Sequence, residues 1–113
     1  MMKQQIVDYI RKHPTATFAN LDRDIPGFSG ELAMFTPEFP NVILWPAVSS
    51  EGIRALGELL KEGAIIMKKA SQLSYFIDGK RPTLRIAAGF KSYEKERWLP
   101  VCFTAKARRP LHA

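Results

Sequence analysis

The stretch SSEGIRALGELLKEGAIIMKK, residues 49–69, constrains the fold more than any other part of this chain. Ser49 or Ser50 offers a side-chain cap for a helix start, and Glu51 falls in the first turn, where the helix dipole favours an anion. Ile53, Leu56, Leu59 and Leu60 recur at spacings of three and four, an apolar stripe along one helix face. Gly63 stands where a left-handed residue ends a helix. An apolar run, 64–67, follows at once and reads as a strand ending in Lys68 and Lys69. A helix of this length gains its stability by packing its apolar face on other elements, so the rest of the chain must supply a core.

The preceding residues supply part of it. Residues 3–12 read as a helix with Ile6, Val7, Tyr9 and Ile10 on one side, ended by His13-Pro14, because the residue before proline avoids the helical region. Thr17 is a plausible cap for a second helix, FANLDRDI, in which Phe18, Leu21 and Ile25 share a face, and Pro26-Gly27 ends it. Residues 26–40, PGFSGELAMFTPEFP, read as a connector pinned to the core by Phe28, Phe35 and Phe39, with an exposed phenylalanine patch for a partner as the alternative. Residues 42–45, VILW, form a short strand closed by Pro46.

After Lys69 the expected order is a turn at residues 68–72, a return strand at 73–77, and a further turn carrying Lys80 and Arg81. Leu84-Arg85-Ile86 suggests another strand, and 98–103 a last one, with Pro100 marking it as an edge. The chain therefore reads as one domain over 1–104 followed by a flexible basic tail, 105–113. The fold class is α+β: three helices, a small antiparallel hairpin sheet and a β-leaning C-terminal extension.

Charge sharpens the picture. The 113 residues carry a net charge of +6. Residues 1–63 hold six Lys/Arg against eight Asp/Glu, whereas residues 64–113 hold eleven against three. A basic half beside a mildly acidic half suits a polyanionic partner, although a basic tail and solubilising lysines give the same count. No apolar run reaches the roughly 20 residues of a membrane-spanning helix. The N-terminal MMKQQIVDYIRKHP lacks the pattern of a signal peptide, and the single cysteine, Cys102, sits in an apolar run as a small buried hydrophobe. Both features suggest a reducing, cytoplasmic setting.

The segments IVDYIRKHP, FANLDRDIPG and SSEGIRALGELLKEGAI, with the hairpin after them, resemble the winged helix-turn-helix superfamily over about residues 3–78. The resemblance implies a small DNA-binding protein, in all expectation a transcription regulator. Its third helix would enter the major groove and its hairpin wing would touch the backbone. Carried onto this chain, the contact residues are Ser49, Ser50, Arg54 and Ala55 on the helix and Lys68 and Lys69 on the wing, with Lys80 and Arg81 extending the basic stripe. It also implies double-stranded DNA as partner and a homodimer reading two half-sites. Two departures stand out: the long connector between the second and third helices, and a C-terminal extension the minimal fold lacks. Glu51, Glu58 and Glu62 outnumber Arg54 and Lys61 on the exposed helix face, which opposes a phosphate contact. The alternative is a protein-interaction module of the same shape with a protein partner and no DNA contact.

Other chemistries find little support. KSYEKERW, 91–98, interleaves aromatic and basic residues in the manner of single-strand binders, diluted by Glu94 and Glu96. His13 and His112 lie near opposite ends. No CxxC, HExxH, GxGxxG or GxxxxGK pattern occurs, so no metal, cofactor or catalytic role is expected.

Overall fold

The computed structural model describes residues 2–78 and 82–106, with the backbone alone at 76–78. The described residues form four helices and two three-stranded sheets, an α+β architecture. In chain order they are α1 (Met2–Lys12), β1 (Ala16–Thr17), α2 (Phe18–Asp24), β2 (Ser29–Thr36), β3 (Phe39–Val48), α3 (Ser50–Glu62), β4 (Ile65–Lys69), α4 (Gln72–Asp78), β5 (Arg97–Trp98) and β6 (Val101–Ala105). None of the described helices is long and apolar enough to cross a membrane.

The first three helices follow their sequence signals. In α1 the buried residues are Met2, Ile6, Val7 and Ile10, while Tyr9 of the expected stripe is only partly buried. Thr17 caps α2 through its side chain, which accepts from Asn20 N, while the Asn20 side chain accepts from Thr17 N at 2.9 Å. This reciprocal box satisfies two donors that a helix start leaves without partners. Gly63 ends α3 at φ 76°, the left-handed conformation that a side chain disfavours.

The remainder departs from expectation in several places. The connector after α2 is not irregular: β2 and β3 form an antiparallel hairpin within it. Phe28 is fully buried, but Phe35 is 46% exposed and is not pinned to the core. The strand at 42–45 extends over Phe39–Val48 and runs through Pro46. That proline lies beyond Val42 and Ile43, the β3 residues paired with β5, where a missing N–H is tolerated.

Residues 73–77 belong to a helix, α4, so the helices number four and β4 has no return strand beside it in sequence. Ser71 starts α4: its Oγ accepts from Leu73 N and its carbonyl from Ser74 N. Tyr75 points inward, fully buried, while Leu73 is 68% exposed. A short apolar run fits either a strand or a helix, and here the seat for Tyr75 decides.

The partner of β4 is instead β6, which lies at the centre of the first sheet in the order β1-β6-β4, all antiparallel. The expected last strand is thus central in its β6 part and last in the order of its sheet in its β5 part. It divides at Leu99-Pro100. Arg97–Trp98 pair in parallel with β3 in the second sheet, order β2-β3-β5, and Val101–Ala105 pair with β4 and β1 in the first. Pro100 sits at the crossing and its carbonyl accepts from Ala70 N. Of the suggested strand at 84–86, only Ile86 forms a bridge, to Trp98. Ordered pairing reaches past residue 104, since Ala105 pairs with Ile65 and Lys106 N bonds to Ala64 O.

An aromatic cluster joins the two sheets. Phe18 stacks on Trp45 at 5.9 Å and meets Phe103 edge-on at 5.2 Å, and Tyr75 lies 5.5 Å from Trp45 and 4.8 Å from Trp98. These rings come from α2, β3, β6, α4 and β5, so the core is built from both sheets at once. Offset and edge-on contacts of this kind add about 0.5–1.5 kcal/mol per pair beyond area burial.

Candidate nucleic-acid interface

Helix α3 is held firmly at its start. The Ser49 Oγ accepts from Gly52 N at 3.0 Å and donates to the Gly27 carbonyl at 2.7 Å, while Ser49 N bonds to Phe28 O at 2.8 Å. Ser49 is therefore a cap and a tie to the preceding turn, and its hydroxyl is committed inside the protein. Ala55 is only 5% exposed and packs in the core, so it has no surface for a thymine methyl. The two expected contacts are set aside for different reasons: the Ser49 hydroxyl is engaged in the cap and the tie to Gly27, and Ala55 is buried.

The exposed residues of α3 are Ser50, Glu51, Arg54, Gly57, Glu58, Lys61 and Glu62. With ~100° of rotation per residue they separate into two stripes. Ser50, Arg54, Gly57 and Lys61 share one, opposite the buried Gly52 and Leu59. Glu51, Glu58 and Glu62 share the other, on the side that meets α1. Lys3 of α1 reaches this acidic stripe, with its Nζ 3.4 Å from Glu58 and hydrogen-bonded to Glu62. The Glu62 carboxylate, more than any other group, pushes the Lys3 ammonium above its ordinary pKa. Two of the three acids that opposed a phosphate contact in sequence, Glu58 and Glu62, thus face a lysine of the neighbouring helix, whereas Glu51 takes part in no ion pair among the described residues. The outward stripe carries two cations and no acid, and among the described residues neither Arg54 nor Lys61 takes part in an ion pair.

Gly57 is the odd member of that stripe. A Cβ placed on it would meet nothing within 4 Å, so neither packing nor backbone conformation calls for glycine there. Gly57→Ala is expected to stabilise the fold by about 0.5–1 kcal/mol in urea titration, and an unchanged or lowered midpoint would show a hidden constraint at this site.

The expected wing is absent as a hairpin tip. Lys68 and Lys69 close β4 and pair with Cys102 and Val101. Lys69 Nζ donates to the Ala88 carbonyl at 2.8 Å, so its charge is drawn toward the 87–89 segment. Lys68 is exposed, beside a Cys102 that is 7% exposed; burial is the larger influence on the thiol and pushes its pKa up, against the pull of Lys68. Lys80 and Arg81 lie outside the described residues. Of the expected contact set, Ser50 and Arg54 share one outward face, Lys68 remains an exposed cation on β4, and Ser49 and Lys69 are engaged internally. Lys61 was visible as an exposed base in sequence, but its alignment with Ser50 and Arg54 needed the helical rotation combined with the position of α1.

A second polar cluster ties α1 to α2. Tyr9 OH donates to Asp24, which also receives Arg23, and His13 stacks on the Tyr9 ring at 4.3 Å. Arg23 first, then Tyr9, holds the Asp24 carboxyl far below the usual carboxylate range. This cluster accounts for His13 as a surface stacking partner. Among the described residues no group of three His, Cys, Asp or Glu side chains is placed to hold a metal ion.

No family model matches the chain, and no curated protein or solved structure matches it significantly.

Proposed function

We propose that the protein binds double-stranded DNA by laying the outward face of α3 in the major groove, and that it acts as a small transcription regulator of winged-helix type. The observation that carries this reading is the division of α3 into an acidic stripe engaged by Lys3 and an outward stripe of Ser50, Arg54, Gly57 and Lys61. A major groove about 12 Å wide admits one helix. Arg54, near the N-terminal end, is placed for a guanine edge or a phosphate, Ser50 for a phosphate, and Lys61 for the backbone further along. Gly57 lets the helix approach closely at the middle of the contact.

The order β1-β6-β4, with α1, α2 and α3 preceding β4, supports the winged-helix resemblance, because a short strand after the first helix then pairs with the last strand, at the centre of the sheet. The departure is equally concrete. A β-hairpin separates α2 from α3, and α4 with the 82–100 segment occupies the position of the wing loop. Docking therefore rests on α3 and on exposed cations such as Lys68, and among the described residues β4 ends in no hairpin turn.

The test is fluorescence anisotropy of labelled duplex DNA over a salt series, with the full chain and with a chain ending after Lys106 to remove the basic tail. Both are expected to bind in the micromolar range or tighter near ~50 mM salt. Arg54→Ala/Lys61→Ala is expected to weaken binding at least ~10-fold and to lower the salt slope by about two, near 0.9 per phosphate contact. Absence of binding at low salt, or a double variant with unchanged slope, rejects the DNA reading. A protein-interaction role then takes its place. Leu32 and Phe35, both nearly half exposed on the edge strand β2, favour that second reading and are where a partner search would start.

A further inference from the structure

Apart from Trp98, which belongs to the aromatic core, the KSYEKERW segment is absorbed by neither α3 nor that core. With residues 83–85 it lines a polar cavity of about 610 Å3, inside the range of about 300–1,000 Å3 usual for small-molecule sites. The walls are pinned. Tyr93 OH accepts from Ala88 N at 2.9 Å and the Tyr93 carbonyl accepts from Asn41 Nδ2 at 2.7 Å. Arg97 is fixed by its pairing with Val42, and its guanidinium lies 4.7 Å from the centre of the Tyr93 ring. The Arg85 carbonyl accepts from Trp98 N at 2.7 Å. Against this rigid frame the heads of Arg85 and Lys95 are exposed, and among the described residues neither is in an ion pair. Glu94 and Glu96 line the same cavity and are likewise without a basic partner there.

We propose that this cavity holds one unpaired nucleotide unit, with its base against the Arg97–Tyr93 pair and its phosphate on Arg85 and Lys95. The two carboxylates decide the ligand class. A bare anion gains from three cations but is opposed by Glu94 and Glu96. A nucleotide turns those acids to use, because an exocyclic amino group, as on cytosine, donates to a carboxylate. The planar guanidinium stacked on tyrosine is a platform for a base face, which a paired duplex keeps covered. A single strand and a free nucleotide share this chemistry. The inference does not rest on the duplex contact of α3.

The experiment uses the full chain with two probes, hexadeoxycytidylate and cytidine 5′-monophosphate, each followed by backbone amide shifts, and the strand, fluorescein-labelled, also by anisotropy. Binding of both probes, or of the strand alone, supports the proposal when the shifts fall at 92–97, and it distinguishes a free nucleotide from a strand as the source. Arg85→Ala/Lys95→Ala, at exposed positions, is expected to weaken the strand about 10-fold or more with a cooperative melt retained. Arg97→Lys keeps the charge and removes the plane, and is expected to weaken binding several-fold with little change in salt slope. No shift with either probe overturns the proposal. So does strand binding that survives the Arg85/Lys95 change and is lost in Arg54→Ala/Lys61→Ala, since the strand would then sit on α3.

Discussion

Tyr75→Phe is expected to lower the free energy of unfolding by about 1–3 kcal/mol, and Tyr75→Ala by about 3–5 kcal/mol. The ring is fully buried between Trp45 and Trp98. Its hydroxyl accepts from Phe18 N at 3.1 Å and donates to Val101 O at 2.7 Å. Phe18 opens α2, and a first-turn N–H has no partner within its own helix. Removing the hydroxyl leaves that buried donor unsatisfied, which costs more than the net value of an ordinary hydrogen bond. Removing the ring as well opens a cavity at the junction of both sheets. Urea titration of the two variants checks this, with a lowered midpoint at an unchanged slope for Tyr75→Phe. A loss below ~0.5 kcal/mol for Tyr75→Phe is a surface-like effect and shows that α4 is not seated by this residue.

Gly30→Ala is expected to cost about 3 kcal/mol, at the upper end for overpacking. A Cβ at Gly30 would lie 2.4 Å from Ser49 Cα, 2.6 Å from Ser49 N and 2.7 Å from Val48 O. All three atoms are backbone, so no rotamer change relieves the contact. Relief requires moving β2 away from the start of α3, which strains the Ser49 bonds to Phe28 and Gly27. Urea titration is again the measure; under the proposed DNA contact, affinity also falls in the same variant where it remains folded, because the start of α3 is displaced. Gly57→Ala is the internal contrast: one glycine is required by a close approach of backbone, the other meets open space. Equal tolerance at both positions contradicts the packing of the hairpin on α3.

The candidate interface was only partly legible. Ser50 and Arg54 could be placed from helical spacing alone. Ser49 reads as a cap or as a contact; its Oγ caps Gly52 N and also donates to the Gly27 carbonyl, a partner distant in sequence that spacing could not reveal. The three glutamates of α3 read as an obstacle because nothing in their spacing shows that Lys3 approaches Glu58 and Glu62 from another helix. Lys68 and Lys69 were read as a turn because residues 73–77 look like a return strand, and the turn disappears when that run becomes α4.

What the sequence determined by itself is what short-range chemistry controls. Thr17 and Ser49 cap, Gly63 stops a helix, and the apolar stripes of α1, α2 and α3 recur with a period that only a helix satisfies. What tertiary structure alone decided is every pairing between distant segments: β6 at the centre of its sheet, the chain crossing between sheets at Leu99-Pro100, the β2–β3 hairpin in place of a connector, and α4 in place of a strand. Runs of five to eight residues carry too little periodicity to select a conformation. Their state is set by which partner removes their apolar side chains from water and satisfies their backbone, and for Tyr75 that partner is a pocket assembled from both sheets.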